Sequence, residues 1–239
     1  MRDDGRMLDE IRPLTIERNY TCFAAGSVLV KLGKTQVLCT AMFEDRVPRH
    51  CLESKRGWVT AEYRMLPSAG PDRQSLHAPA GGRDQEISRL IGRSLRAAVD
   101  LHPLAGRTVW IDCNVIQADG GTRTASVTGG YVALVDALTK LRDAGKLDRL
   151  PIIQGLGALS VGIVDGRAMV DLCADEDRAA SVDMNVVMSH EGKFVEVQGT
   201  AEKHAFTRQE HDQMVDLVAA AMETVKAAQI KALAAGLAT

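Results

Sequence analysis

A strand-like segment that runs through a glycine turn into a helix constrains the fold more than any other feature of this chain. In Val109–Ile116 apolar residues recur at every second position, the period of a half-buried β-strand. From Val127 to Leu141 they recur at three- and four-residue intervals, the period of an α-helix. Residues 117–124, between the two, read Gln-Ala-Asp-Gly-Gly-Thr-Arg-Thr. The sequence therefore predicts a strand-to-helix junction inside a mixed α and β fold.

The composition of this turn is typical of an anion-binding site. Two consecutive glycines can adopt positive φ and leave amide N–H groups uncovered, and the helix N-terminus adds partial positive charge. Thr122 and Thr124 add hydroxyl donors, and the planar guanidinium of Arg123 matches phosphate oxygens. A bare Gly-Gly-Thr-Arg is equally compatible with a tight turn and a surface arginine. Arg83 also follows a Gly-Gly pair at a predicted helix start, so two such arginines could face one anion.

The rest of the chain continues the mixture of strands and helices. Gly26–Leu32 and Thr35–Met42, joined by a Gly33-Lys34 turn, predict a hairpin, and proline- and glycine-rich residues 64–82 predict a long loop. Further strands are predicted at 58–63, 156–164, 168–172, 182–188 and 194–198, and helices at 84–101, from after 123 to near 145, and from a capping box at 207–210. Since no shift in composition divides it, residues 1–239 are expected to form a single α+β domain of mixed sheets packed with helices.

Basic residues are concentrated in one segment. The chain has a net charge of −2, but Arg46–Arg96 holds ten Lys or Arg against five Asp or Glu, so this segment is +5 and the remainder −7. Nine of the ten are arginine, the residue suited to planar phosphate recognition. A solvated charged face is possible, but the asymmetry favours an anionic partner.

Cysteine usage and hydropathy indicate the compartment. The five cysteines are odd in number and form no CxxC pair, which favours reduced thiols and a cytoplasmic location. The charged N-terminal residues precede no apolar run, so no signal peptide is expected. No segment approaches the roughly 18 apolar residues of a membrane span, so no membrane partner is expected either.

One aspartate interrupts an otherwise apolar strand. Asp183 lies in Val182–Met188, where alternation puts it on the face opposite Val182 and Met184. A buried carboxylate needs a partner, and Asp177 on the preceding loop could converge with it to hold a metal. Mg²⁺ is commonly held by one or two carboxylates together with substrate phosphate. Pairing of Asp183 with a structural arginine is an equally good explanation of the pattern.

Gly33-Lys34-Thr35 resembles the end of a nucleotide-binding loop but lacks its context. That motif needs a glycine five residues before Gly33, where Val28 stands, and a strand follows instead of a helix. The sequence therefore predicts a hairpin turn here. A kinase-like phosphate enzyme is not favoured, because the sequence has no nucleotide-binding loop.

Several longer runs carry a resemblance to a known family that spans nearly the whole chain. They include Gly57–Pro67, Arg89–Arg96, Gln117–Ser126, Val182–Met188 and Glu196–Glu202. In these runs the chain resembles the ribonuclease PH family of phosphorolytic 3′→5′ exoribonucleases, relatives of polynucleotide phosphorylase and the exosome ring subunits. Arg178 and Asp84 depart from the family pattern, which has serine and threonine there.

The resemblance implies a fold, a set of site residues and an assembly. The fold would be similar to the second domain of ribosomal protein S5, and the chains would form a homohexamer, a trimer of dimers. Phosphate would be bound by Arg83, Gly121, Thr122 and Arg123. Asp177 and Asp183 would be the essential carboxylates, associated with Mg²⁺ or with Mn²⁺ in its place. The RNA backbone would be contacted by Arg89, Arg93 and Arg96, and by Arg73, which lies in the segment that matches the family's tRNA-contacting loop.

The expected activity is that of a nucleotidyltransferase. Inorganic phosphate, as co-substrate, would attack the last phosphodiester of tRNA precursors and other RNA 3′ ends and release nucleoside diphosphates. The alternative is a non-catalytic RNA-binding ring subunit of an exosome-like assembly. Such a subunit would be expected to lack the aspartates or the phosphate-binding arginines, and this chain has both.

Overall fold

The computed structural model describes residues 2–75 and 81–235. In chain order the elements are β1 (Leu14–Arg18), β2 (Gly26–Leu32), β3 (Thr35–Glu44), α1 (Arg49–Leu52), β4 (Trp58–Met65), α2 (Gly82–Arg96), β5 (Thr108–Gln117), α3 (Thr122–Asp143), β6 (Leu156–Val164), β7 (Arg167–Val170), α4 (Ala174–Ala179), β8 (Val182–Ser189), β9 (Phe194–Ala201) and α5 (Arg208–Ala234). This architecture confirms the predicted α+β fold with mixed sheets packed with helices.

The first sheet has five strands in the order β1-β2-β3-β5-β4. Its strands are antiparallel except β4 and β5, which run parallel because α2 provides the crossover between them. Val59, Ala61 and Ile111 on its inner face are buried against α2 and α3. The parallel pair therefore brings the end of β4, the start of α2 and the turn after β5 to one edge of the sheet.

The second sheet is antiparallel, in the order β7-β6-β8-β9, and α5 packs on it. Met214, Val218 and Met222 of α5 are buried there, so the predicted apolar stripe of the last helix is core. The capping box is present, since the Thr207 side chain accepts a hydrogen bond from the Glu210 amide.

Helix α3 lies between the sheets and contacts strands of both. Its residues are buried almost all round, which is what a helix needs when it packs on two sides. Gly26 and Gly129 permit close packing, because a Cβ on Gly26 would lie 1.9 Å from the Ala133 carbonyl oxygen. The single-domain prediction for 1–239 remains a prediction.

Some boundaries differ from the sequence predictions. The helix predicted to reach Leu101 ends at Arg96, because the next backbone groups pair with residues 151–153, as in the 2.8 Å bond from the Ile153 amide to the Ala98 carbonyl. Short helices α1 and α4 were not predicted, since neither has room for an apolar stripe. Of the predicted loop, residues 76–80 lie outside the described residues. Within the part the structure describes, no helix has the length and apolarity to cross a membrane.

Candidate active site

A cavity of about 240 Å³ lies where β4, α2, α3, α4 and β8 meet. The six residues predicted to bind phosphate or metal all line it: Arg83, Gly121, Thr122, Arg123, Asp177 and Asp183. Met65 and Pro71 border it from the long loop side, and Ser160 and Asn185 from the second sheet. The structure thus brings both predicted groups into one cleft.

The glycine turn has the positive φ angles that its two glycines predict. Gly120 and Gly121 have φ of 73° and 65°, a region that favours glycine. A Cβ on Gly120 would lie 2.4 Å from the Leu172 carbonyl oxygen, so a side chain does not fit. Thr35 holds the turn from behind: its hydroxyl donates to the Gly120 carbonyl at 2.6 Å and accepts from the Asp119 amide at 2.9 Å. Thr35, the last residue of the Gly-Lys-Thr motif, therefore supports the backbone of the glycine turn.

Arg123 is the second residue of α3, and neighbouring side chains orient it. Its Nη1 lies 3.3 Å from Gln198 Oε1 and 3.5 Å from Glu86 Oε1, while Gln198 Nε2 donates to the same Glu86 oxygen at 3.1 Å. The Arg123 side chain is 16% exposed, so most of it is fixed by packing. Thr122 is fixed as well, by a 2.8 Å hydrogen bond between its hydroxyl and that of Tyr63. Burial raises the pKa of the Tyr63 phenol, which keeps it neutral.

One side of the cavity, the predicted phosphate-binding wall, consists of Arg83, Gly121, Thr122 and Arg123. The two aspartates form a second side, the acidic wall. Asp177 is in α4, and Asp183 is the second residue of β8. Burial, and then the nearby charge of Asp177, raise the pKa of Asp183 to about 6, against the lowering influence of Arg123 and a 3.3 Å hydrogen bond from Asn185. The structural-arginine explanation of Asp183 is not favoured, since no ion pair involves it among the described residues.

This acidic wall fits a divalent cation. Two carboxylates near one another, one of them with its charged form disfavoured, provide hard oxygen donors for Mg²⁺ or Mn²⁺. Within residues 2–75 and 81–235 no cluster of three or more His, Cys, Asp and Glu side chains could hold a metal. The remaining ligands would therefore be other oxygens, such as those of water and substrate.

The four arginines predicted to bind RNA do not line this cavity. Arg93 pairs with Glu196 at 2.5 Å. Arg96 lies 4.2 Å over the Trp58 ring and donates to the Val59 carbonyl, and burial lowers its pKa. Arg89 borders a depression on the outer face of the first sheet, and Arg73 is exposed in the loop. Their contacts with RNA remain a prediction.

Sequence reasoning missed the buried ion cluster behind the cavity. Arg2, Arg6 and Arg12 of the N-terminal segment converge on Asp171 and Glu176, next to α4. Asp171 carried the same signal as Asp183, since it too is a lone acid in an apolar run. Nothing in the sequence around the three arginines connected them to that acid.

Sequence comparison relates most of the chain to one family of known proteins. The sequence model of the 3′ exoribonuclease family matches with its domain 1 over residues 10–140 and with its domain 2 over residues 156–221. Ribonuclease PH of Corynebacterium kroppenstedtii is 51% identical over 98% of this chain and 93% of its own length. Ribonuclease PH of Mycobacterium ulcerans is 53% identical over 98% and 92%.

Solved structures share the fold. A chain of the Archaeoglobus fulgidus exosome with RNA bound to the active site superposes with a TM-score of 0.82 at 25% identity, covering 94% of this chain and 91% of that one. Rice Rrp46 superposes with a TM-score of 0.79 at 18% identity, covering 97% and 100%. The chain therefore belongs to the 3′ exoribonuclease family, as a relative of ribonuclease PH.

Proposed function

We propose that this chain is a phosphorolytic 3′→5′ exoribonuclease, a nucleotidyltransferase that trims the 3′ ends of tRNA precursors and other RNAs. The observation that carries the proposal is that one cavity is lined both by the four residues predicted to bind phosphate and by the two aspartates. A purely RNA-binding ring subunit has no need of that convergence, so the catalytic function is favoured over the scaffold. The family match supports the same reaction class.

The reaction joins two anions, so charge and position matter more than a strong base. An oxygen of inorganic phosphate attacks the phosphorus of the last 3′,5′-phosphodiester. The bond from that phosphorus to the O3′ of the preceding nucleotide breaks, O3′ keeps the electron pair and gains a proton, and a nucleoside diphosphate leaves. The attacking phosphate is nucleophilic at neutral pH without activation by the protein.

The phosphate-binding wall positions the attacking group. The Gly121 amide, the Thr122 hydroxyl and the α3 N-terminus would provide donors, and Arg83 and Arg123 would add charge. Tyr63 orients the Thr122 hydroxyl, and Glu86 and Gln198 orient Arg123. These contacts exist before phosphate binds, which lowers the cost of organising the site.

The acidic wall would receive the RNA end. Asp177 and Asp183 would hold Mg²⁺, or Mn²⁺ in its place, with substrate oxygens completing the coordination. When bound there, the cation supplies neutralising charge for the scissile phosphate and the departing O3′. Arg73, Arg89, Arg93 and Arg96 are proposed to contact the backbone further along the RNA, in a salt-sensitive and largely sequence-independent way.

The assembly and location are also proposals. A homohexameric ring, a trimer of dimers, is supported by the likeness to exosome chains. A cytoplasmic location is supported by the five free cysteines, which suit a reducing compartment.

Incubation of a tRNA precursor with and without inorganic phosphate tests the proposal. We expect shortening only with phosphate, and nucleoside diphosphates as the products. Shortening that proceeds equally without phosphate and releases monophosphates would identify a hydrolase and refute the proposed reaction.

A further inference from the structure

A buried ion pair behind the active-site cavity joins its two walls. Arg12 and Asp171 are 4% and 0% exposed, and neither lines the cavity. We infer that Arg12 and Asp171 are positioning residues that set the placement of the phosphate-binding turn relative to helix α4 and its Asp177. The inference rests on the proposed function, because it concerns how that same site is held in its working geometry.

The pairing between the two residues is extensive. Arg12 donates to Asp171 through its backbone amide at 2.7 Å, its Nε at 2.9 Å and its Nη2 at 2.7 Å, so both carboxylate oxygens are engaged. Arg6 Nη1 adds a 3.2 Å contact to Asp171 Oδ2. Removing one partner of a pair buried to this degree is strongly destabilising, because the other loses its main counter-charge.

The same guanidinium reaches the phosphate-binding turn. Arg12 Nη1 donates to the Asp119 carbonyl, and Nη2 lies 3.4 Å from the Gly120 carbonyl. The group packs so closely beneath Gly121 that a Cβ there would be 3.1 Å from Nη2. Arg12 thus satisfies carbonyls of the turn whose Gly121 amide is proposed to bind phosphate.

The other end of the connection leads to the acidic wall. Arg12 Nη2 also lies 3.4 Å from the Leu172 carbonyl, one residue before the N-cap of α4. Asp119 Oδ1 accepts from the Ala174 amide at 3.3 Å, which fastens the turn directly to the first residue of α4. Asp177 follows in that helix, and its amide bonds to the Cys173 carbonyl at 2.8 Å. A shift of the Arg12 cluster would therefore move Asp177 relative to Gly121.

A matched control lies elsewhere in the same molecule. Asp136 is 4% exposed and is paired with Arg18, whose Nη2 is 2.6 Å from its Oδ1 and whose Nη1 donates to the carbonyls of Ala232 and Leu233. It is an arginine–aspartate pair of similar construction, with a buried aspartate and a partly buried arginine. It lies about 20 Å along α3 from Arg123, by the rise of an α-helix.

The test compares Asp171→Asn and Arg12→Lys with Asp136→Asn in the full-length protein. Phosphorolysis of a defined RNA gives kcat and the KM for inorganic phosphate, and denaturant unfolding gives stability. We expect all three variants to be destabilised. Asp171→Asn and Arg12→Lys should also lower kcat by about 10- to 100-fold and raise the phosphate KM, as for displaced supporting residues. Asp136→Asn should leave both constants within about twofold of wild type.

The outcomes separate the possibilities. If the folded Asp171 and Arg12 variants keep wild-type kcat and phosphate KM, or if Asp136→Asn loses as much, the cluster is only structural and the inference is overturned. Arg12→Lys keeps the buried charge but not the fork that spans two carbonyls, so it decides alone if Asp171→Asn does not fold. Wild-type protein that releases no diphosphates would instead overturn the proposed function.

Discussion

The two walls of the active-site cavity are built in opposite ways. On the phosphate-binding wall other side chains orient two of the donors: Thr122 bonds to Tyr63, and Arg123 lies against Glu86 and Gln198. On the acidic wall, Asp183 has a raised pKa because burial and Asp177 disfavour its charge. If the proposed roles hold, we expect phosphate to meet donors that the protein already orients and the acidic wall to be completed by metal and RNA.

The largest expected effect is on the acidic wall. Asp183→Asn keeps the shape of the side chain but removes a carboxylate ligand, so turnover should fall on the order of a thousandfold. RNA binding, measured by filter retention, should be unchanged because the arginines are intact. Wild-type turnover in this variant would show that Asp183 is not needed for the reaction, and the proposed difference between the two walls would then be wrong.

The second effect tests how far the phosphate-binding wall is prepared. Gly120→Ala puts a Cβ 2.4 Å from the Leu172 carbonyl at a φ of 73°, so it should destabilise the fold by about 3 kcal/mol or more and abolish phosphorolysis by disrupting the phosphate site. Gly81→Ala is the control, since Gly81 has a φ of −65° and no atom of the described residues lies within 4 Å of the added Cβ. Denaturant unfolding of both measures the difference. Equal stability would mean that the turn is not rigid.

The third effect ranks the two arginines of the phosphate-binding wall. Arg123 is held by packing and Arg83 is exposed, so Arg83 must lose more side-chain freedom on binding phosphate. Arg123→Ala should raise the phosphate KM by about 10- to 100-fold, and Arg83→Ala by about 3- to 10-fold. Phosphate titrations at saturating RNA provide the comparison. The reverse order would show that orientation before binding is not what matters.

The smallest effect concerns pH in metal-free protein. Asp183 faces Asp177, Glu202 and Arg123, and its pKa is raised from 3.8 to about 6. The folded state therefore binds the extra proton between these values, and its stability falls as pH rises through that window. Relative to wild type, Asp183→Asn should gain about 1–3 kcal/mol at pH 7.5 and nothing near pH 4. Denaturant unfolding at both pH values checks this.

Added Mg²⁺ or Mn²⁺ provides the control for the pH experiment. A cation on the acidic wall should stabilise wild type and leave Asp183→Asn unaffected, so the difference at pH 7.5 should shrink. A difference that is the same at both pH values and insensitive to cation would place its cause outside Asp183 ionisation.

Local patterns predicted much of the fold and the site because they depend on neighbours in sequence. The hairpin from Gly26, the strand before the glycine turn and the last helix were predicted within a few residues. The strand-face argument put Asp183 on the face opposite Val182 and Met184, and in the structure Asp183 lines the cavity together with Asn185. Helix α4 was missed, since six residues have no period to detect.

Long-range contacts were beyond prediction. The Gly81-Gly82 and Gly120-Gly121 pairs look alike in sequence, yet only the second has positive φ, because Leu172 and Arg12 enclose it. The partners that decide this difference are distant in sequence, as Arg12 lies more than a hundred positions before Gly120. The same applies to Arg96, whose stacking on Trp58 no charge count revealed.

Helix α3 begins at the phosphate-binding turn and has 17 of its 22 residues buried between the sheets. Neither sheet can retain its inner surface when that helix leaves, so we propose that melting of either half removes the other. Enzymatic activity and folded structure would then be lost in one cooperative transition on heating. A partially unfolded intermediate that still binds phosphate should not accumulate at any temperature.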